Sequence, residues 1–189
     1  MLPGSVESRL RKLPQSLLDH IARTRTLARE LARAHGADES AVNLAAACHD
    51  LARALSPADL VDEAERLSLT VHSVEKQAPV LLHGPIAAAW LEADGDVQDT
   101  RVLDAVRWHT TGRIGMDNVE KVVFVADKAE PEKVRFNPAL AEVRDLADES
   151  LDKAILSFLD IQMADLQGKG QPVHPRAIEL RNHLMNSNQ

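Results

Sequence analysis

The chain has 189 residues, 44% of them hydrophobic, which is enough for one domain with one apolar core. Its net charge of −7 argues against broad binding to DNA or RNA, although a local cluster of cations or a metal can still hold a small polyanionic substrate. The single cysteine, Cys48, excludes an internal disulfide, and residues 1–10 lack the pattern of a signal peptide, so we expect a cytoplasmic protein without a membrane segment.

Proline, glycine and capping residues divide the chain into segments with the apolar spacing of helices. The predicted helices cover residues 14–36, 38–54, 57 onwards, 85–93, 99–108, 117–131, 138 onwards, 148–168 and 175 onwards. Residues 67–77 fit either a loop or a short helix. Eight or so helices without a convincing strand predict an all-α, bundle-like domain.

Four residues of types that bind metals occur on sides of the predicted helices that we expect to face inward. His20 lies on the apolar stripe of the first helix, and Asp127 follows the apolar run 122–126. The adjacent pair His49 and Asp50 lies well inside the second predicted helix. A lone inward histidine is more often a hydrogen-bonded core residue, and a lone inward aspartate is more often a cap or an ion-pair partner. A buried carboxylate is costly unless it is paired or binds a cation, so four such residues from three helices favour a metal site.

These four residues fit the His…His-Asp…Asp pattern of the HD superfamily of metal-dependent phosphohydrolases, which the chain resembles. The resemblance is closer to one branch, the YqeK-like symmetrical diadenosine tetraphosphate hydrolases. It spans nearly the whole chain, and the residues that carry it are 46–53, 82–85, 107–112, 126–131, 174–175 and 181–182. The His-Asp pair alone is weak evidence, whereas Trp-His-Thr-Thr-Gly in residues 108–112 with Ala-Asp-Lys-x-Glu-Pro in residues 126–131 is specific.

The resemblance implies a single HD-domain helical bundle over residues 1–189. Its metal-site core is expected in about residues 16–131. The C-terminal helices, in residues 138–186, are expected to complete the fold and to be available for the nucleotide pocket.

The resemblance also implies roles for individual residues. The implied metal ligands are His20, His49, Asp50 and Asp127. The implied contacts to substrate phosphates are His83, His109, Thr110 and a downstream arginine. Arg53, which stands where many relatives carry lysine, is a further candidate for binding phosphate. Many relatives have Glu-Pro-x-Arg where this chain has Lys133, so we assign the downstream arginine to Arg135 and keep Lys133 as the alternative.

Neutral imidazoles and carboxylates suit transition metals better than Mg or Ca. We therefore expect a divalent transition metal, iron first, with Mn, Co, Ni or Zn as alternatives. Such an ion lowers the pKa of water and polarises a phosphoryl oxygen. The expected catalytic residues are Asp50 together with His83 and His109, one of which is suited to protonate the leaving phosphate. Ligation of a second ion by the same two histidines is the alternative left open.

The implied activity is hydrolysis of diadenosine tetraphosphate and related dinucleoside polyphosphates at the centre, which gives two ADP from the adenine compound. An HD phosphatase acting on another nucleotide is one alternative. A non-catalytic module that senses nucleotide or metal is another, and the intact ligand set counts against it. The expected partner is a small nucleotide, with no nucleic acid and no membrane, and the oligomeric state stays open.

Overall fold

The computed structural model of the protein describes residues 2–187, which form twelve α-helices and one short 3-10 helix, with no β-strand among them. The all-α prediction is confirmed. The first six helices are α1 (Gly4–Leu10), α2 (Gln15–Ala34), α3 (Glu39–Cys48), α4 (Pro57–Arg66), α5 (Ser73–Gln77) and α6 (His83–Asp94), and the 3-10 helix Pro79–Leu82 precedes α6. The other six are α7 (Thr100–Trp108), α8 (Asn118–Ala129), α9 (Pro131–Phe136), α10 (Leu140–Glu149), α11 (Leu151–Gly168) and α12 (Pro175–Ser187).

Helix α8 is the central element of the fold. It packs against α2, α3 and α7 on one side and against α10 and α11 on the other. Its residues 122–126 are all apolar and at most 1% exposed, because neighbouring helices cover it on every side. Asp127 continues this buried run, so the chain places a carboxylate in the interior of the bundle.

The last three helices close the bundle at its C-terminal end. Helix α10 packs on α8 and α11, and α12 packs on α11. None of the helices in residues 2–187 is both long and apolar enough to cross a membrane.

Helix α3 is shorter than predicted, and this changes the setting of the His49–Asp50 pair. The helix ends at Cys48, with His49 as its C-cap. Beyond it the chain continues in tight turns, in which the amide of Leu51 donates to the carbonyl of Cys48 at 3.2 Å and the amide of Arg53 to that of Asp50 at 3.0 Å. The prediction of a helix through residue 54 was therefore wrong. Its apolar, alanine-rich pattern runs on without a glycine or proline, so the sequence carries no stop signal there.

Other helix boundaries also differ from the prediction. Pro131 does follow the end of α8, but it also begins α9, because Glu130 caps the new helix by accepting from the amide of Glu132. Helix α11 starts after its N-cap Ser150 rather than at residue 148. Helix α1 was not predicted, and residues 67–77 contain the short helix α5.

Two glycines in the loop between α7 and α8 provide a test of packing. Gly112 and Gly115 have φ of +65° and +78°, so alanine is strained at both positions. A Cβ at Gly112 would also collide with the buried side chain of Leu180 on α12, whereas one at Gly115 would meet no atom of residues 2–187 within 4 Å.

We expect Gly112→Ala to lower the free energy of unfolding by roughly 1–3 kcal/mol more than Gly115→Ala, because only the first adds overpacking to the backbone strain. Urea denaturation followed by circular dichroism measures both variants. Equal losses would show that α12 does not press on this loop.

Candidate metal centre

Six predicted site residues converge in the interior of the bundle. His20 comes from α2, His49 and Asp50 from the end of α3, His83 from the start of α6, His109 from the C-cap of α7 and Asp127 from α8. All are buried except His20, whose side chain is 12% exposed. Residues that are far apart in the chain thus meet in one polar cluster within an apolar core.

Three of the histidines are oriented in the same way by the backbone. His49, His83 and His109 each donate Nδ1–H to the carbonyl oxygen three residues earlier, at 2.9 Å for His49 and 2.7 Å for His109. A carbonyl oxygen only accepts, so the hydrogen must lie on Nδ1. When the ring is neutral, its Nε2 atom therefore faces the cluster as a free ligand atom.

His20 reaches the same orientation through a side chain. Its Nδ1 lies 3.2 Å from Oε1 of the buried Glu130. Burial opposes ionisation of Glu130, but hydrogen bonds from Arg23, the backbone amide of Glu132 and His20 lower its pKa. The ionised carboxylate accepts Nδ1–H, so His20 also presents Nε2 to the centre.

Asp50 lies between two pairs of histidines. Its Oδ2 is 3.6 Å from Nε2 of both His20 and His49. Its Oδ1 is 2.9 Å from Nε2 of His83 and 3.7 Å from Nε2 of His109. One carboxylate thus joins two groups of ligand atoms.

Asp127 belongs to the first group and is also paired with two lysines. Its Oδ1 lies 3.1 Å from Nε2 of His20 and 3.6 Å from Nε2 of His49. The Nζ of Lys133 is 2.6 Å from the same Oδ1, and Lys128 bonds to Oδ2 at 2.5 Å. Each oxygen of this carboxylate is therefore paired with a lysine ammonium group.

The surroundings of the cluster keep its two carboxylates ionised. Burial raises the pKa of Asp50 and Asp127, yet the surrounding histidines and, at Asp127, the lysines hold both pKa values well below the usual range. Burial by itself lowers the pKa of His49, but Asp50 and Asp127 reverse this and raise it. Burial lowers the pKa of His109 to about 3, so its ring is neutral at pH 7.

The donor set fits divalent ions. Nε2 of His83 and Nε2 of His109 are 2.9 Å apart, and Nε2 of His20 and Nε2 of His49 are 3.3 Å apart. In neutral rings that carry their hydrogen on Nδ1, the facing Nε2 lone pairs repel unless a cation lies against them. Two sets have ligand atoms within 4.8 Å of one another, namely His20, His49 and Asp50, and Asp50, His83 and His109. Imidazole nitrogens with carboxylates suit a transition metal.

Two cavities adjoin the cluster and share three wall residues, Asp50, Arg53 and Lys133. One, of about 350 Å³, is also bordered by Pro14, Leu17, His20 and Ala54. The other, of about 190 Å³, is also bordered by Leu81, His83, His109, Thr110, Asp127, Lys128 and Gln162. The cluster therefore adjoins two cavities that small molecules can enter, and two cations, Arg53 and Lys133, border both of them.

Some of the residues predicted to contact phosphate border the cavities, and one does not. Arg53 and Thr110 border the cavities. Arg135 is exposed, pairs with Glu132 at 2.6 Å and, among the described residues, is not one that borders either cavity. Lys133, the alternative, borders both. The structure therefore brings Lys133, and not Arg135, to the cluster.

Three residues near the cluster escaped prediction as site residues. Glu130 orients His20 and pairs with Arg23 at 2.7 Å. It belongs to the specific motif in residues 126–131, but no role was assigned to it, because a glutamate before proline also fits a helix cap. Lys128 contacts Asp127 and, at 2.9 Å, the carbonyl of His109. It belongs to the same motif, but no role was assigned to it from the sequence. Gln162 reaches the smaller cavity from α11, and no local pattern marks it.

The HD domain model matches residues 17–132 of the chain, which include all six residues of the cluster. This match covers more than half of the sequence. The chain therefore belongs to the HD-domain family.

The chain is similar to two curated proteins that share one name. The chain is 36% identical over 156 residues to the symmetrical bis(5'-nucleosyl)-tetraphosphatase of Bacillus subtilis, covering 82% of each protein. It is 32% identical over 180 residues to the protein of the same name from Staphylococcus aureus, covering 91% of this chain and 88% of the relative. A crystal structure from Clostridium acetobutylicum, described as a predicted HD superfamily hydrolase involved in NAD metabolism, matches with a TM-score of 0.90 and 27% identity, covering 97% of this chain and 96% of that one.

Glu130 and Glu120 form a matched pair for testing the orientation of His20. Both are buried glutamates that bond to an arginine and take part in a helix N-terminus, but only Glu130 contacts a predicted metal ligand. We expect Glu130→Gln to weaken metal binding by about 10- to 100-fold, because an amide holds the imidazole less firmly and makes it less basic. Equilibrium dialysis with Mn²⁺ measures the affinity, and Glu120→Gln should match the unaltered protein. Unchanged affinity in Glu130→Gln would show that its contact with His20 does not support the site.

Proposed function

We propose that the protein hydrolyses diadenosine tetraphosphate and related dinucleoside polyphosphates symmetrically, giving two ADP from the adenine compound. The observation that carries this proposal is the convergence of two metal-ligand groups, joined by Asp50, beside cavities that share Arg53 and Lys133. The printed name of the relatives from Bacillus subtilis and Staphylococcus aureus supports the choice of substrate.

The first metal site is proposed at His20, His49, Asp50 and Asp127, as expected from the sequence. A second is proposed at Asp50, His83 and His109, which assigns these two histidines to ligation rather than to phosphate binding. The geometry supports ligation because Nε2 of His83 and Nε2 of His109 both face Oδ1 of Asp50. The donor set supports a transition metal, and we propose iron first, with Mn, Co, Ni or Zn as alternatives. A divalent ion supplies Lewis-acid polarisation of a phosphoryl oxygen and makes water acidic enough to attack phosphorus.

The other side chains bind and orient the polyphosphate. Arg53 and Lys133 lie where they can neutralise phosphate oxygens, and the Thr110 hydroxyl can donate to one. His109 is not proposed as a general acid, because a ring with a pKa of about 3 holds no spare proton at pH 7. We propose that water delivers the proton to the leaving diphosphate.

The two cavities support central cleavage. They adjoin at Asp50, Arg53 and Lys133, and we propose that the bound polyphosphate passes over Asp50 with half of the substrate in each cavity. Attack near Asp50 divides the chain of four phosphates in the middle. Each half then leaves as a nucleoside diphosphate.

Chromatography after incubation of the metal-loaded protein with diadenosine tetraphosphate tests this proposal directly. We expect ADP to be the one nucleotide product. Appearance of AMP together with ATP would mean that attack occurs at an outer phosphorus, and the symmetrical model would then be wrong.

Metal content tests the roles of His83 and His109. If they hold a second ion, His83→Ala and His109→Ala should each lower the metal content from about two ions per chain to about one, with the helical spectrum retained. Elemental analysis of desalted protein measures this, and His183→Ala at an exposed position is the control. If both variants keep their full metal content but lose turnover, these histidines bind substrate phosphates and do not hold a second ion.

The alternatives to this activity are hydrolysis of another nucleotide and a sensing role without turnover. A panel of mononucleotides, cyclic nucleotides and dinucleoside polyphosphates separates the three functions. We also propose a cytoplasmic location, which the buried free thiol of Cys48 supports.

A further inference from the structure

Lys133 binds the oxygen that the first metal site needs. Its Nζ lies 2.6 Å from Oδ1 of Asp127, and the same oxygen is the one nearest to Nε2 of His20 and His49. An ammonium group and a metal ion on one carboxylate oxygen lie within a few ångströms of each other. Their charges repel strongly in a site that is largely shielded from water.

The charges of the cluster make this competition unfavourable for the metal alone. The two carboxylates, Asp50 and Asp127, are opposed by three cations, Arg53, Lys128 and Lys133, at the cavity walls. Each divalent ion adds further positive charge. A polyanion that binds the cations offsets the excess positive charge. Metal and polyphosphate should therefore each favour binding of the other.

Of the two lysines that contact Asp127, Lys128 is held in place by several further contacts. Its Nζ donates to the carbonyl of His109 at 2.9 Å and lies 5.1 Å and 5.6 Å from the ring centroids of Phe124 and Phe158. Its side chain is 11% exposed. These contacts fix the ammonium group beside Oδ2 of Asp127.

Lys133 differs in each of these respects. Its side chain is 38% exposed, and it lies on α9, a helix of six residues at the surface. It borders both cavities, so its ammonium group can reach a bound phosphate by rotation of the side chain.

We propose that Lys133 and the metal compete for Asp127, and that the substrate's polyphosphate relieves this competition by taking the ammonium group. Metal and polyphosphate then bind cooperatively, and by linkage each raises the affinity of the other by the same factor. This inference rests on the proposed function only for the identity of the polyphosphate. The competition itself needs no nucleotide.

Titration with Mn²⁺ alone, followed by the paramagnetic resonance of the free ion, tests the competition. We expect Lys133→Met to bind Mn²⁺ at least about tenfold more tightly than the unaltered protein, because the competing charge is gone. Lys133→Arg keeps the charge and should stay close to the unaltered protein. Lys169→Met removes an ion pair with Asp165 at a distance from both cavities and is the matched control. Equal or weaker binding by Lys133→Met would overturn the competition.

A second titration in the presence of sulfate tests the coupling. Sulfate is a tetrahedral dianion that chelates Mn²⁺ weakly, so it can replace a phosphate group in the cavity. At constant ionic strength, it should tighten Mn²⁺ binding to the unaltered protein and have little effect on Lys133→Met. An equal effect on both proteins would overturn the coupling through Lys133. Neither titration contains a nucleotide, so failure of the proposed activity would leave both results standing.

Discussion

Two buried carboxylates, Asp50 and Asp127, impose the constraint on which the rest of the structure depends. A charged group loses its hydration inside an apolar core, and the loss is tolerable only when cations or hydrogen-bond donors replace the water. Four imidazoles and two lysines surround these carboxylates. The helices of the bundle are therefore arranged to bring ligands from five separate helices to one point.

Helix ends perform most of this arrangement. His49 and His109 are C-caps, and His83 begins α6, so each ring lies where its Nδ1 can reach the carbonyl three residues earlier. Close contact between α6 and α7 completes the second group. A Cβ at Gly84 would lie 2.9 Å from the carbonyl oxygens of Val106 and Arg107, so only glycine lets His83 approach His109 this closely.

The sequence was most informative where the burial of a residue depends only on the apolar pattern of its own helix. The apolar run 122–126 predicted that Asp127 is buried, and the apolar stripe of α2 predicted that His20 faces inward. The geometry of Asp50 was not predictable, because no stop signal marks the end of α3. Its two oxygens are divided between its neighbour His49 and partners from three other segments. The choice between Lys133 and Arg135 also required the fold. A helix six residues long determines which of two neighbouring cations faces the cavity, and Gln162 arrives from a helix with no sequence link to the site.

The balance of charge in the centre runs opposite to that of the whole chain. The protein carries a net charge of −7, so its distant field repels a polyphosphate, and attraction must come from the few cations at the cavity walls. Those cations are also the groups that disfavour a divalent ion. In such a site, the metal ion and the polyphosphate are expected to bind cooperatively. In the proposed model, the metal needs the anion to draw the Lys133 ammonium group away from Asp127, and the anion needs the metal to complete the positive charge that holds it. Under this proposal, the linked phosphates of a dinucleoside polyphosphate can contact Arg53, Lys133 and the metal ligand cluster together, because all of these groups border the same two cavities.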